Sequence, residues 1–450
     1  MTFNKVTESQ TALAINSSKK SLDEEDGVYD PYKQSHTGKT SSYFEALFIL
    51  IKAYLGTGIL GMPRAFYNSG YVLGVIGTIF AGILTTVTVH MISSTEYELC
   101  KRMRVPRLTY PEVITAAFDH GPKSSRRFKD IGGQICYAYL ILLEFGGACV
   151  YMIFIAVNIK EICDYQFGER DLRFYLVCLL IPLILMCWIK NLKYLAPGST
   201  LGTGCAIACI GVIYFFIFNE PLTFEGRRMT GSVKEFALFF GTVLFAVGAF
   251  GMVIPLKNTM TKPKQFGTSW GVVNAAVIPN ILLYILMGFF GYLAYGDQVR
   301  GSITLNLPQT GFAGDLIRIL LAASIFTTFP LPNYVVTELL WHGFLKQKAG
   351  DKHVDKWEYV FRTCLVCTNF LCCIAIPNLE LFMSLVGSTC LPMLAMWFPA
   401  IIHTMTFWNQ YKGFKFFLFI LRAVVITLTG FFAFFVAFTS SVYEIITTVF

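Results

Sequence analysis

The chain has 450 residues, 55% of them hydrophobic, 16% aromatic and only 14% charged, with a formal net charge of +8. A soluble globular chain carries about 25% charged residues, so this one could not cover itself in water. Its apolar residues lie in long blocks, which marks an all-α polytopic membrane protein and excludes secreted disulfide-stapled and nucleic-acid-binding classes. The thirteen cysteines fall almost wholly inside apolar blocks and read as small packing residues.

Residues 1–42 are polar, rich in Ser and Thr, and acidic at Asp23, Glu24, Glu25 and Asp26. They are expected to form a disordered cytoplasmic tail. They carry no signal-peptide pattern, so the first apolar block directs insertion. Residues 43–450 form the transmembrane domain. Eleven blocks of spanning length follow, at about 43–68, 70–95, 131–158, 173–189, 197–218, 235–256, 270–295, 313–341, 357–376, 378–403 and 416–444. The division near Pro377 is the narrowest, and counts of ten or twelve are the alternatives. Alternate loops hold 19 and seven Lys plus Arg. The positive-inside rule puts the richer set and the N-terminus in the cytoplasm.

The first block contains Gly56-Thr57-Gly58-Ile59-Leu60-Gly61-Met62-Pro63 and the sixth contains Gly248-Ala249-Phe250-Gly251-Met252-Val253-Ile254-Pro255. Both hold G-x-x-G-M followed by proline, at an offset of 190 residues. Glycine costs about 1 kcal/mol and proline about 3 in a helix interior, so both helices should break near mid-membrane. Close helix packing alone explains one such stretch. Two matching breaks point instead to a transporter site and to a five-plus-five inverted repeat with an extra eleventh helix. N–H groups near Gly58, Ile59 and Leu60 would receive a carboxylate, and carbonyls around Leu55 to Thr57 and Phe245 to Gly248 an ammonium group. Gly56, Thr57, Gly58, Ile59, Gly61, Phe245, Ala246, Gly248 and Phe250 are therefore the candidate substrate-binding residues. Phe245 and Phe250 are candidates for a lid, and the small residues between them limit substrate size.

At these residues the sequence resembles the proton-coupled amino acid transporters of the amino acid/auxin permease group. Leu192-Lys193-Tyr194-Leu195-Ala196-Pro197 and Gly301-Ser302-Ile303-Thr304-Leu305-Asn306-Leu307-Pro308 carry the resemblance further, over roughly residues 43–445. It implies a fold like that of the bacterial leucine transporter and small neutral amino acids as substrates. Three positions depart from the family pattern. Ile49 stands where members carry a histidine linked to proton coupling, Lys257 where many have an acidic residue, and no cysteine in 296–311 is available to bridge Cys163.

Glu144, near the middle of the third block beside Gly146 and Gly147, is the candidate proton carrier in place of the histidine. A structural carboxyl hydrogen-bonded to a neighbouring helix, or paired with Lys52 or Arg318, is the other reading. Lys52, four residues before the first break, could cap carbonyls there or neutralise a carboxylate, and is the second ion-coupling candidate. Arg318, Arg362 and Arg422 read as anchors near helix ends, and Asn333 as part of a polar path or of a proline kink. The expected function is secondary active transport of small neutral amino acids by proton symport, with Na⁺ less favoured. An ion-uncoupled facilitator and an amino acid sensor of the same fold are the alternatives. No cofactor or metal is expected, since the six histidines form no HExxH pair, and no GxSxG elbow marks an enzyme. The partners are the substrate, the proton and the bilayer, with no nucleic acid. The plasma membrane is preferred over the lysosome.

Overall fold

The computed structural model describes residues 29–34, 40–190, 192–308, 312–346 and 354–449; at 192–199, 312, 342, 344 and 449 only the backbone is described. Apart from one isolated bridge between Ser41 and Met260, all regular structure among these residues is helical. The first five helices are α1 (Tyr43–Tyr54), α2 (Met62–Ser69), α3 (Tyr71–Met103), α4 (Tyr110–Asp119) and α5 (Lys129–Phe167). Next come α6 (Leu172–Cys187), α7 (Leu192–Asn219), α8 (Val233–Ala246), α9 (Phe250–Thr259) and α10 (Val272–Tyr295). The remainder are α11 (Phe312–Thr328), α12 (Pro330–Thr337), α13 (Val354–Ala375), α14 (Leu379–Leu391), α15 (Phe398–Phe407), α16 (Phe414–Phe431) and α17 (Phe438–Val449).

Ten helical segments among the described residues are long and apolar enough to cross a bilayer. The remaining apolar block, the fourth, is α6, which at 16 residues falls short of the usual span of about 20. The division near Pro377 is a helix boundary: α13 stops at Ala375, and the side chain of Asn378 accepts from Leu381 N at 3.2 Å to start α14. Outer helices expose large apolar side chains such as Ile181, Leu185, Phe215, Phe417 and Leu428. That is the surface a lipid solvent demands.

The two glycine-rich blocks are both broken. Each begins with the same S-x-x-E capping box, Ser42 with Glu45 and Ser232 with Glu235, again 190 residues apart. Each box satisfies two orphan N–H groups and fixes where the helix starts. α1 then runs only to Tyr54. Leu55 and Gly56 leave helical geometry, Thr57–Gly61 form a 3₁₀ turn, and α2 restarts at Met62 with Pro63 in its first turn, where proline is tolerated. α8 stops at Ala246, and α9 restarts at Phe250 after a three-residue interruption. α10 packs along both α1 and α2, α8 packs on α14, and α5 lies beside α11 and α14. Both breaks are thereby enclosed by other helices. Gly70, between α2 and α3, takes φ +78°, a turn that a side chain would strain.

Of the tail expected to be disordered, residues 1–28, including the acidic run, and 35–39 lie outside the described residues. Residues 29–34 depart from that expectation. They include a helical turn whose Tyr32 ring stacks on Tyr97 at 4.5 Å, while Lys264 pairs with Asp30 at 3.3 Å. Ser41 pairs through its backbone with Thr259 and Thr261, tying the entry of α1 to the exit of α9.

Candidate functional site

The two breaks meet. A Cβ built on Gly58 would lie 2.6 Å from the Cα of Ala246, so the 3₁₀ turn rests directly on the end of α8. Only a residue without a side chain allows that approach. Gly61 is equally enclosed, with the Met383 side chain 2.7 Å from the place of its Cβ. Thr57, Gly58, Ile59, Leu60 and Gly61 are all buried.

A 3₁₀ turn starting at Thr57 leaves the N–H groups of Thr57 and Gly58 without an acceptor inside the turn, slightly earlier than the 58–60 stretch expected from sequence. The Thr57 hydroxyl is 2% exposed and has no hydrogen-bond partner among the described residues. Buried polar atoms are nearly always bonded, so the Thr57 hydroxyl is a polar group left open to a water or a ligand at the break. The carbonyls expected to await an ammonium group are partly taken. Phe245 O accepts from Gly248 N, and the hydroxyl of Tyr284 lies within hydrogen-bond distance of Ala246 O. That hydroxyl also reaches Tyr54 O, one residue before the expected Leu55–Thr57 stretch, an oxygen that accepts from Gly56 N at 2.7 Å.

Facing the breaks is one side of α5. Glu144, Gly147 and Tyr151 stand at i, i+3 and i+7, a single helix face. One carboxylate oxygen of Glu144 is 3.2 Å from the place of a Cβ on Gly251, in the first turn of α9. The Tyr151 hydroxyl is 4.0 Å from the corresponding point on Gly56. A Cβ on Gly147, between them on this face, would meet nothing within 4 Å. Glu144 is half-buried, and no ion pair joins it to a basic residue among the described residues. Arg318 pairs with Asp315 instead, at 3.0 Å.

The remaining candidates divide. Phe245 is half-buried at the end of α8, whereas Phe250 is 2% exposed with its ring centred 6.5 Å from that of Tyr110. Phe250 is thus already packed against α4, and Phe245 is the ring with an accessible face. Gly248 turns tightly, its Cβ position 2.9 Å from Phe245 O and 3.5 Å from Leu391. Lys52 is half-buried one turn before Leu55. Asn333 accepts from Asn369 at 2.8 Å in a buried pair joining α12 to α13.

Three features had no signal in the sequence. Arg318 is not an interfacial anchor: it is fully buried, donating to Thr304 O at 3.1 Å and Leu307 O at 2.6 Å, and so holds the Gly301–Pro308 loop. Lys257 is buried in an ion pair with Glu96 at 2.5 Å and donates to Ser93 O at 2.6 Å. Arg64 on α2 donates to Glu380 on α14 at 2.8 Å, and Asn68 donates to the same carboxylate at 2.5 Å. This last cluster ties the half-helix beyond the first break to the start of α14. All thirteen cysteines are free.

Residues 39–446 match the model of the transmembrane amino acid transporter protein family. The chain belongs to this family. It is 34% identical over 405 residues to the proton-coupled amino acid transporter-like protein pathetic of Drosophila melanogaster, covering 89% of this chain and 85% of that one. It is also 25% identical over 416 residues to the amino acid transporter ANT1 of Arabidopsis thaliana, covering 85% and 90%. Among solved structures, the inward-facing conformation of Mhp1 aligns over 94% of both chains with a TM-score of 0.56 at 12% identity. That likeness gives the fold. This member of the amino acid transporter family is a polytopic membrane protein and not an enzyme.

Proposed function

We propose that this protein carries small neutral amino acids across a membrane by alternating access, using eleven spans arranged as a five-plus-five inverted repeat plus one. The observation that supports this is the face of α5. Glu144 lies against Gly251 and the Tyr151 hydroxyl near Gly56, one at each break, with the open position at Gly147 between them on the helix face, and the orphaned Thr57 hydroxyl follows Gly56 in the chain. The free N–H groups at the start of the 3₁₀ turn and the positive end of its dipole favour a substrate carboxylate, and Glu144 or peptide carbonyls an ammonium group. Enclosure by Ala246, Met383 and Leu391 favours a short side chain.

Proton coupling is assigned to Glu144, a carboxyl without an ion-pair partner among the described residues, with Lys52 as the second charge near the first break. An uncoupled facilitator is the second reading. Ile49, where a coupling histidine was expected, is 38% exposed and cannot take over proton transfer. The richer basic loops support a cytoplasmic N-terminus, and the plasma membrane is preferred over the lysosome. The deciding experiment is voltage-clamped uptake of a panel of neutral amino acids at several pH values, with and without Na⁺. Proton symport gives an inward current that grows as the external pH falls. Uptake without current supports the facilitator, and no flux with any amino acid overturns the reading.

A further inference from the structure

α1 and α8 end at the same point. Tyr284, fully buried on α10, places its hydroxyl 2.5 Å from the carbonyl oxygen of Tyr54 and 2.9 Å from that of Ala246. These are the last residues of the two half-helices, so two C-terminal dipole ends converge on one phenol. Tyr54 O also accepts from Gly56 N at 2.7 Å, which leaves its second lone pair for the phenol, and a terminal carbonyl left unpaired in an apolar interior costs several kcal/mol. In transporters with broken helices, unwound carbonyls and half-helix C-terminal ends hold the coupling cation.

We propose that the Tyr284 hydroxyl stands where such a metal cation would be held, so that this transporter takes no Na⁺ between the Tyr54 and Ala246 carbonyls. The inference rests on the transport reading above and deepens it by naming a residue that determines ion choice. A phenol at neutral pH is a neutral donor with one proton, which can serve either carbonyl. It supplies the positive end that two converging negative dipole ends require, without a net charge and without an ion gradient. The space is also limited, because the turn at Gly58 lies against Ala246 with no room for a side chain. The ring is carried by α10, which packs on α1 and on the turn itself, so the hydroxyl is held in place by the bundle rather than by substrate.

The test uses the full chain in liposomes, with uptake of its best neutral amino acid measured in Na⁺ or in choline at fixed pH. Wild-type uptake is expected to change by less than about twofold on replacing Na⁺, since the phenol already fills the place between the Tyr54 and Ala246 carbonyls. Tyr284→Phe keeps the ring and loses the proton, and its turnover should fall about tenfold while remaining indifferent to Na⁺. Tyr284→Ser opens space between the two carbonyls, and its uptake should rise about threefold or more with Na⁺. Wild-type uptake that collapses without Na⁺, or Tyr284→Phe working at wild-type turnover, would overturn the proposal. So would Tyr284→Ser lacking any Na⁺ response. Thermal stability of the purified proteins in NaCl against choline chloride gives a readout independent of transport. Only Tyr284→Ser should be stabilised by Na⁺, and stabilisation of the wild type overturns the proposal even if no amino acid is carried.

Discussion

Gly58 and Ala246, 188 positions apart in sequence, touch backbone to backbone: a Cβ on the glycine would stand 2.6 Å from the alanine Cα. The two helix interruptions are therefore one structural unit. Gly58→Val must push the 3₁₀ turn off α8, because the obstructing atoms are the Cα, Cβ and N of Ala246, none of which can swing aside. Overpacking of this kind costs about 1–3 kcal/mol, and transport should fall by more than about tenfold. Gly204→Ala is the control, since nothing lies within 4 Å of its Cβ position. Thermal unfolding in detergent and uptake in liposomes measure both.

Glu144 bears the proton assignment. Glu144→Gln keeps the shape and the hydrogen-bonding capacity but cannot release a proton. Wild-type uptake should increase as the external pH falls, and the variant should lose that slope and the substrate-evoked inward current. A variant that retained full pH dependence would remove Glu144 from the mechanism.

Gly147 sets the size of the open space. Gly147→Leu adds a side chain where nothing lies within 4 Å, so the protein should fold normally while the site shrinks. Competition assays should show larger neutral amino acids losing affinity more than glycine or alanine. Discrimination of about 1–3 kcal/mol per excluded methylene is the scale to expect.

Lys257 and Glu96 form a pair that is 1% and 4% exposed. Lys257→Met leaves the Glu96 carboxylate buried without its cation, which costs about 3–5 kcal/mol. A lowered unfolding temperature should follow. The double variant Lys257→Met with Glu96→Leu removes both charges and should recover most of the loss, since an apolar pair of similar volume is often neutral. A double variant no more stable than the single one would show that Ser93 O and the Tyr32 ring, whose centre is 5.4 Å from the ammonium, matter more than the ion pair.

The sequence by itself determined what depends on local backbone chemistry and on solvent. Runs of apolar residues demand lipid, and glycine and proline weaken the helix they sit in. Ser42 with Glu45 and Ser232 with Glu235 start a helix wherever the chain goes. That is why ten of the spanning blocks, the two interruptions and the boundary near Pro377 were legible, while α6, at 16 residues, is shorter than a usual span. Tertiary structure alone decided which groups meet. Tyr284 looked like any tyrosine in an apolar block until α10 brought it to the carbonyls of Tyr54 and Ala246, 230 and 38 positions away. Arg318 read as an anchor because its acceptors are backbone carbonyls of a loop, which carry no residue signature. Lys257 read as a family departure because Glu96, its counter-charge, lies 161 positions earlier. Hydrogen bonds and ion pairs in a membrane bundle are forced by burial, and burial is set by how helices pack, which no single stretch of sequence contains.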